Sequence, residues 1–265
     1  MRIAIIEPYY GGSHQAWADG YRAHSAHEVT LFTHEARFWK WRMHGSYVTL
    51  AEEFVVDVER HGAFDVILAS DMVHLPAFRG SIGGARGEAA VVLYMHENQL
   101  TYPLSPRDTV DEAYAMINWA SMTVADAIFF NSQFHHDAWF EQIPGQLRRF
   151  PDYKHSDLLA GVQERAQVLG VGVDLSRLDG AEPLDTPAPL VLWNQRWDFD
   201  KGPDRFADAL ISLAAEHDFV VALAGEEIGE IPAFTRLQEV LADRIFHVGH
   251  APDIEYRRLL AARNI

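Results

Sequence analysis

The chain has 265 residues, of which 48% are hydrophobic and 23% are charged, and its formal net charge is −16. This composition is ordinary for a soluble globular protein of one or two domains. The acidic balance disfavours broad adhesion to nucleic acid or anionic membranes, and the absence of cysteine excludes disulfides and thiolate metal sites. No apolar run reaches the length of a membrane span and the N-terminus lacks the pattern of a signal peptide, so we expect a cytoplasmic protein.

Apolar runs and amphipathic stretches alternate along residues 1–173. Strands are predicted at Arg2–Ile6, Glu28–Thr33, Asp65–Ala69, Ala89–Met95, Ala127–Phe130 and Val168–Val173, and helices at Gln15–Ser25, Tyr47–His61, about Val110–Ala125 and from Ser132 to about Ile143. This alternation predicts a parallel sheet whose crossovers are right-handed. The first 173 residues therefore form one Rossmann-like domain.

A second α/β domain is predicted over residues 190–265, after a linker at 174–189 that holds three prolines and several acids. Its strands are predicted at Leu190–Leu192, Phe219–Ala224 and Arg244–Val248, and its helices after Pro203, near Phe234–Ala242 and at Asp253–Ala262. Three strands are fewer than a typical doubly wound half contains, so we expect the second domain to be incomplete.

Two cations lie on the loop that follows the first strand of the second domain. Arg196 and Lys201 precede a helix that should begin at Pro203, because proline suits the first helical position. Ligands bind at the carboxyl ends of the strands in open α/β sheets, and helix amides favour anions there. The segment therefore predicts a diphosphate site; the alternative is a loop with two solvated charges. Glu226 follows the next strand at the same edge, where it could bind sugar hydroxyls or simply be an exposed acid.

Two polar loops follow strands of the first domain. The first contains Gly11, Gly12, Ser13 and His14, and the second contains His96, Glu97, Asn98 and Gln99. Paired glycines allow close approach of a ligand to the backbone, although a tight turn would use them equally well. A histidine at the ligand edge can donate, accept or carry charge near neutral pH, with the adjacent acid orienting it or binding a sugar hydroxyl. The alternative is a set of polar residues that cap a loop.

Neither loop has the glycine spacing of a dinucleotide fingerprint or of a P-loop, which disfavours a dehydrogenase or an ATPase of those kinds. No metal site is predicted, because the adjacent His135 and His136 would point in different directions on a helix. Aromatic residues alternate with cations at Trp39, Lys40, Trp41 and Arg42. This segment predicts either base stacking with phosphate contacts or an amphipathic core segment whose cations reach solvent.

Four segments, in this order, resemble one known family. They are Ile6–His14, His96–Pro103, Phe130–Ser132 and Trp193–Lys201. With two α/β halves, the chain is similar from Arg2 to Ile265 to the tRNA-queuosine α-mannosyltransferase family, also called the glycosyltransferase-like domain-containing family. The resemblance implies the GT-B fold of a retaining glycosyltransferase, and the first two segments are the most specific to the family.

The resemblance also implies a reaction. A hexose, mannose from GDP-mannose in the characterised family, would pass with retention to a hydroxyl of the cyclopentene ring of queuosine in a tRNA anticodon. No metal or cofactor would be needed beyond the nucleotide-sugar co-substrate, and no membrane is implied. Arg196 and Lys201 would hold the donor diphosphate, Gly11 and Gly12 would let the backbone approach it, and His96 would position the acceptor or the sugar with support from Glu97.

The chain departs from the wider pattern in one respect. Related enzymes have a Glu-x7-Glu motif in the second domain that binds the sugar and the ribose of the donor, and the sequence ends before it. Two alternatives therefore remain beside the tRNA-modifying enzyme. One is a GT-B enzyme with a small-molecule or glycan acceptor, which the charge of −16 suits better. The other is a truncated protein that binds nucleotide sugar or RNA without turnover.

Overall fold

A computed structural model describes residues 1–103, 105, 111–225 and 231–262. The described chain divides into two compact units: the first takes in Met1–Tyr102 and residues 111–173, and the second takes in Pro103, Ser105 and the described residues from Asp174 onward. Each unit has a parallel sheet of its own. The predicted site residue Glu226 lies outside the described residues.

The first unit is built on a six-stranded sheet. Its strands are β1 (Arg2–Tyr10), β2 (Glu28–Glu35), β3 (Val66–Ser70), β4 (Ala90–Met95), β5 (Ala127–Phe130) and β6 (Ala166–Val168). They lie in the order β2-β1-β3-β4-β5-β6, and every neighbouring pair is parallel. The alternation along the sequence therefore predicted the sheet type correctly.

Helices connect these strands and cover both faces of the sheet. They are α1 (Gly12–His24), α2 (Trp39–Gly45), α3 (Tyr47–His61), α4 (Leu75–Ile82), α5 (Glu112–Val124), α6 (Gln133–Leu147) and α7 (Leu159–Glu164). Side chains alternate between two buried clusters along β1: Ala4 and Ile6 pack in the larger one, and Ile3 and Ile5 in the one on the other face. Burial on both faces explains why β1 is apolar without interruption after Arg2.

Several boundaries differ from the predictions. The last strand of this sheet is Ala166–Val168, so the strand predicted at Val168–Val173 is wrong for all but its first residue. Pairing ends when the Leu169 N–H donates to the Phe130 carbonyl, and the glycines at 170 and 172 then offer no side chain to pack. Helices α2, α4 and α7 had no predicted counterpart, and β1 runs four residues past its predicted end at Ile6.

The second unit contains a three-stranded parallel sheet of order β7-β8-β9 among the described residues. Its strands are β7 (Leu190–Asn194), β8 (Val220–Ala224) and β9 (Ile245–Gly249), and its helices are α8 (Pro203–Leu213), α9 (Pro232–Val240) and α10 (Asp253–Leu260). Helix α8 begins at Pro203, as predicted, after Gly202 in the left-handed region at φ 71°. Every helix in the described part of the chain falls short of the length or the apolar character that a bilayer span requires.

Candidate functional site

Four neighbouring strands of the first sheet end in polar residues at the same edge. Glu7 lies in the carboxyl-terminal part of β1, and Asp71, His96 and Asn131 directly follow β3, β4 and β5. Ligands bind at this edge in open parallel sheets. The residues therefore meet where the fold provides for a binding site.

Glu7 and His14 form a buried ion pair at this edge. Their exposed fractions are 0% and 4%, and His14 Nδ1 donates to Glu7 Oε2 over 3.0 Å. Burial alone would lower the pKa of His14, but the hydrogen bond to Glu7 and the charges of Glu7, Asp71 and Glu97 outweigh it and raise that pKa to about 9. His14 is therefore an imidazolium at neutral pH.

His96 is held in the opposite protonation state. Its ring lies 4.2 Å from that of His14 and 4.7 Å from that of Trp17, and 8% of its side chain is exposed. Burial and the neighbouring charge of His14 lower the pKa of His96 well below its ordinary value. Its Nε2 has no hydrogen-bond partner among the described residues and lies 3.9 Å from Glu7 Oε2. A neutral imidazole with an unpaired nitrogen results.

Asp71 adds a second titratable carboxyl to the site. It is 1% exposed, and burial raises its pKa to about 7, against the charge of His14 and the N–H of Glu97, which lower it. That N–H donates to Asp71 Oδ2 over 2.9 Å, while Oδ1 has no partner among the described residues. Asp71 therefore holds the backbone of the loop after β4 and changes charge near neutral pH.

Asn131 fixes the same loop from the other side. Its Nδ2 donates to the His96 carbonyl over 2.7 Å, so its Oδ1 is the acceptor for His135 Nδ1 at 3.0 Å. Burial lowers the pKa of His135 to about 4, which keeps that ring neutral. The main chain at His96 is thus fixed by hydrogen bonds from both flanking strands.

The remaining polar residues of the two loops are more accessible. Glu97, Asn98 and Gln99 are half-buried, and Asn98 Oδ1 accepts the Leu100 N–H over 3.0 Å. Asn98 therefore caps a turn, which is the alternative that the sequence left open for it. Its Nδ2 is buried without a hydrogen-bond partner in the described part of the chain.

The two glycines at the start of α1 serve different purposes: Gly11 directly precedes the helix and Gly12 is its first residue. A Cβ at Gly11 would lie 2.5 Å from Ala36 Cβ, so its absence allows β1 and the end of β2 to pack. Gly12 has φ +54° and open space where a side chain would stand. The backbone is therefore uncovered at Gly12, the first residue of α1, and Ser13 beside it is exposed.

The predicted anion loop has the expected local geometry in the second unit. Arg196 and Lys201 are exposed and lie between the end of β7 and the start of α8. Lys201 Nζ contacts Asp200 Oδ2 at 2.7 Å, whereas no ion pair joins Arg196 to the described residues. A Cβ at Gly225 would lie 2.1 Å from the Gln195 carbonyl oxygen, so the end of β8 abuts the loop.

The aromatic and basic segment on α2 divides between core and surface. Trp39 is half-buried with its ring 4.7 Å from that of Tyr114, and Lys40 Nζ lies 5.5 Å from the Trp39 ring centre. Trp41 is 67% exposed, and Arg42 Nε donates to the Glu35 carbonyl over 3.3 Å. The core alternative therefore holds for Trp39, while base stacking by the exposed Trp41 stays a prediction.

Glu7, His14 and His96 also meet the geometric requirement for a metal site. Each offers one ligand atom, and the three atoms lie within 4.8 Å of one another. Two histidines and a glutamate are a ligand set known for zinc. The hydrogen bond between His14 and Glu7 and the charge on His14 favour an ion pair in this arrangement, because a metal ligand must be deprotonated.

Sequence reasoning did not select three residues that the structure places at the site: Glu7, Asp71 and Asn131. A signal was present, because each is a polar residue at or just after the end of an apolar strand, as His96 is. Only the strand order shows that these four ends are neighbours.

Comparisons with known proteins agree with this architecture. The family described as tRNA-queuosine alpha-mannosyltransferase N-terminal matches residues 2–173. A Drosophila melanogaster protein named tRNA-queuosine alpha-mannosyltransferase is 32% identical over 278 residues, which cover 99% of this chain and 72% of the relative.

Solved structures show the same fold at low identity. Sucrose-phosphate synthase from Thermosynechococcus elongatus superimposes with a TM-score of 0.60 at 16% identity, covering 99% of this chain and 74% of that one. A glycosyltransferase from Rickettsia africae gives 0.60 at 13% identity, covering 97% and 70%. The fold is therefore GT-B, with parallel sheets in Rossmann-like units. On the family match and the identity to the fly protein, the chain belongs to the tRNA-queuosine alpha-mannosyltransferase family.

Proposed function

We propose that this protein transfers mannose from GDP-mannose to queuosine in a tRNA, with retention at the anomeric carbon. The observation that supports it most is the buried pair of Glu7 and His14 beside a neutral His96 with an unpaired nitrogen. The name of the fly relative supplies the sugar and the acceptor. GDP as the nucleotide and retention come from the family resemblance.

In this proposal His96 positions a hydroxyl of the sugar or of the acceptor. Its Nε2 is buried without a hydrogen-bond partner among the described residues and lies 3.9 Å from Glu7 Oε2, and the ring is held in place by His14 and Trp17. Preorganised groups lower the barrier because they need not reorient during the reaction. Glu97 supports it from the same loop, and Ser13, Asn98 and Gln99 contact the substrates at the edge of the sheet.

The donor diphosphate binds the loop before α8 in the second unit. Arg196 and Lys201 pair with the phosphates there, and the amides at the start of α8 add donors. As the bond between the anomeric carbon and the phosphate breaks, negative charge grows on the diphosphate, and the two cations stabilise it. Lys201 exchanges its contact with Asp200 for one with phosphate. Glu226, which lies outside the described residues, is proposed to bind donor hydroxyls.

We further propose that the reaction needs neither a metal ion nor a cofactor. The two cations supply the positive charge that a metal would otherwise place on the diphosphate. The ionised His14 repels a cation from the one group of metal-ligating side chains found in the described residues.

The direct experiment incubates the protein with queuosine-containing tRNA and a panel of nucleotide sugars. We expect a hexose mass increase on the queuosine nucleoside with GDP-mannose and none on the matched tRNA that lacks queuosine. Sensitivity of the product to an α-specific mannosidase tests retention. No mass increase with any sugar would refute the tRNA-modifying function.

The net charge of −16 favours a second candidate, a glycosyltransferase with a glycan or small-molecule acceptor, because such an acceptor lacks the phosphates that an acidic protein repels. Donor hydrolysis or transfer to small hydroxylic acceptors, with queuosine tRNA left unmodified, would favour this candidate.

A further inference from the structure

Helix α2 and Phe38, the residue before it, present exposed aromatic side chains that are not part of the hydrophobic core. Two large rings, Phe38 and Trp41, are 78% and 67% exposed. Exposed apolar patches that polar residues surround often mark binding sites, and aromatic residues and arginine are enriched in protein interfaces. We call the residues Arg37, Phe38, Lys40, Trp41 and Arg42 the α2 surface.

The fold accounts for the other face of α2. Met43 is fully buried and Trp39 packs on Tyr114, and these two residues are four apart on one side of the helix. The ring of Trp41 is not part of this packing. It lies along Gly45, where an added Cβ would be 3.2 Å from the ring. One ring face is thus supported by the main chain, and much of the ring is open to solvent.

Phe38 is not only exposed but also has a strained backbone conformation. It adopts the left-handed conformation at φ 51° and ψ 53°, and its carbonyl accepts the Arg42 N–H at the start of α2. A bulky residue rarely adopts this region, and such strain concentrates at binding and active sites. Glycine would fit this backbone conformation better. Packing in the core therefore does not explain why a phenylalanine stands at this position.

The α2 surface is basic in an acidic protein. Residues 37–51 contain three of the chain's 22 cations and none of its 38 acids. Arg37 pairs with the exposed Glu35, Lys40 lies over the rings of Trp39 and Tyr114, and Arg42 is tied to the main chain of Glu35. A polyanion would find here a positive patch on an otherwise repulsive chain.

The α2 surface lies near the buried histidines. Strand β2 ends at Glu35, which pairs with Tyr10 at the carboxyl edge of the sheet, and α2 follows within four residues. Beneath the helix, Trp39, Met43, Tyr114 and Tyr9 belong to one cluster, and the Tyr9 ring lies 5.8 Å from that of His14. One layer of side chains therefore separates the α2 surface from the candidate site.

We propose that the α2 surface binds the unpaired loop of the acceptor RNA. Phe38 and Trp41 stack on bases, and Arg37, Lys40 and Arg42 contact the flanking phosphates. This proposal rests on the proposed function, since it names where that acceptor docks. Aromatic platforms with flanking cations are the common means of binding single-stranded nucleic acid, because every base has a ring face to stack and the phosphates pair with cations.

The test measures binding of queuosine tRNA, and of its isolated anticodon stem-loop, to wild type, Trp41→Ala and Phe38→Gly. Each substitution should weaken binding about 5- to 150-fold, as loss of one stacked base does. Phe38→Gly separates binding from folding, because glycine relieves the strain at φ 51° and should leave the melting temperature unchanged or higher. Ile254→Ala is the control, since Ile254 is 75% exposed, lies between Asp253 and Glu255 on α10 and should leave binding unchanged.

The cations are tested by the salt dependence of the same binding. Arg37→Gln and Lys40→Gln should each reduce the slope of log K against log salt by about 0.7–1. Unchanged RNA affinity of Trp41→Ala and Phe38→Gly, with a wild type that modifies queuosine tRNA, would overturn the proposal and leave the proposed function standing. A wild type that binds the stem-loop through this surface but modifies no tRNA would instead refute the function.

Discussion

The two candidate sites of this protein hold their charges in opposite ways. In the first unit, Glu7, His14 and Asp71 are almost completely buried, and each is fixed by a hydrogen bond. In the second, Arg196 and Lys201 are exposed on a loop. Buried charges are little screened and shift one another's pKa, whereas exposed charges act weakly until a ligand displaces the water. This contrast is the reason for proposing that the first site carries the chemistry and that the second binds a charged ligand.

The largest effect that follows from this contrast concerns turnover. We expect His96→Ala to lower kcat about 100- to 10,000-fold, the range for a positioned proton-transfer or hydrogen-bonding group, and to leave GDP-mannose affinity within about twofold. Glycosyl transfer and donor binding by calorimetry are measured on the same preparation. Equal losses in turnover and in donor affinity would show that His96 serves the fold.

The buried ion pair should govern stability. Glu7→Gln leaves a buried imidazole without its carboxylate, and breaking such a pair costs about 3–5 kcal/mol. The pKa of His14 is raised from its ordinary 6.5 to about 9, so the stabilisation is full below pH 6.5 and is lost as pH rises towards 9. The wild-type melting temperature should therefore fall across this window.

The Glu7→Gln variant is the control for the pH dependence of the melting temperature. In Glu7→Gln the hydrogen bond and charge that raise the pKa of His14 are gone, so the fall in melting temperature between pH 6.5 and 9 should largely disappear. A wild type and a variant with the same pH profile would argue against the ion pair.

The exposed site predicts a smaller, salt-sensitive effect. Arg196→Ala and Lys201→Ala should each weaken GDP binding by about 1.5–3 kcal/mol, the range for a hydrogen bond to a charged group. Because the cations are exposed, raising the salt concentration should weaken wild-type binding as well. Arg258→Ala, an exposed arginine in the last turn of α10, is the matched control. Affinity unchanged in both variants would exclude this loop as the diphosphate site.

Metal removal should have no effect. Treatment with a chelator should leave the glycosyl transfer rate unchanged, because cationic side chains hold the diphosphate. A loss of activity that added zinc restores would assign Glu7, His14 and His96 to a metal, and substituting any of them should then abolish zinc binding.

The sequence predicted local structure better than it predicted the site. The loop between β7 and α8 could be placed because Leu190–Pro203 is one contiguous segment, in which the strand, loop and helix start follow one another. Glu7 and Asp71 could not be joined to His96 in this way, because they are brought together by strand order across 89 residues of chain. Strand Val168–Val173 was misplaced because an edge segment needs only one partner and its pattern is weak.

Helix α2 shows a different limit. Its aromatic and basic pattern fits both a buried segment and an exposed surface, and the structure shows Trp39 packed on Tyr114 and Trp41 67% exposed. A helix of 7 residues has too few turns for periodicity to separate its faces. The exposed fraction of each side chain, which the structure gives, was needed to distinguish Trp39 from Trp41.

Gly225 lies close to the Gln195 carbonyl in the loop between β7 and α8, and this contact makes the two positions differ in how well they tolerate substitution. Because the loop side of this contact is a main-chain atom, substitution at Gln195 leaves it intact, while any side chain at Gly225 displaces the loop. Deep mutational scanning should therefore find position 225 nearly invariant and position 195 permissive. A library that aims to retarget the donor can vary Gln195 freely and should keep Gly225 fixed.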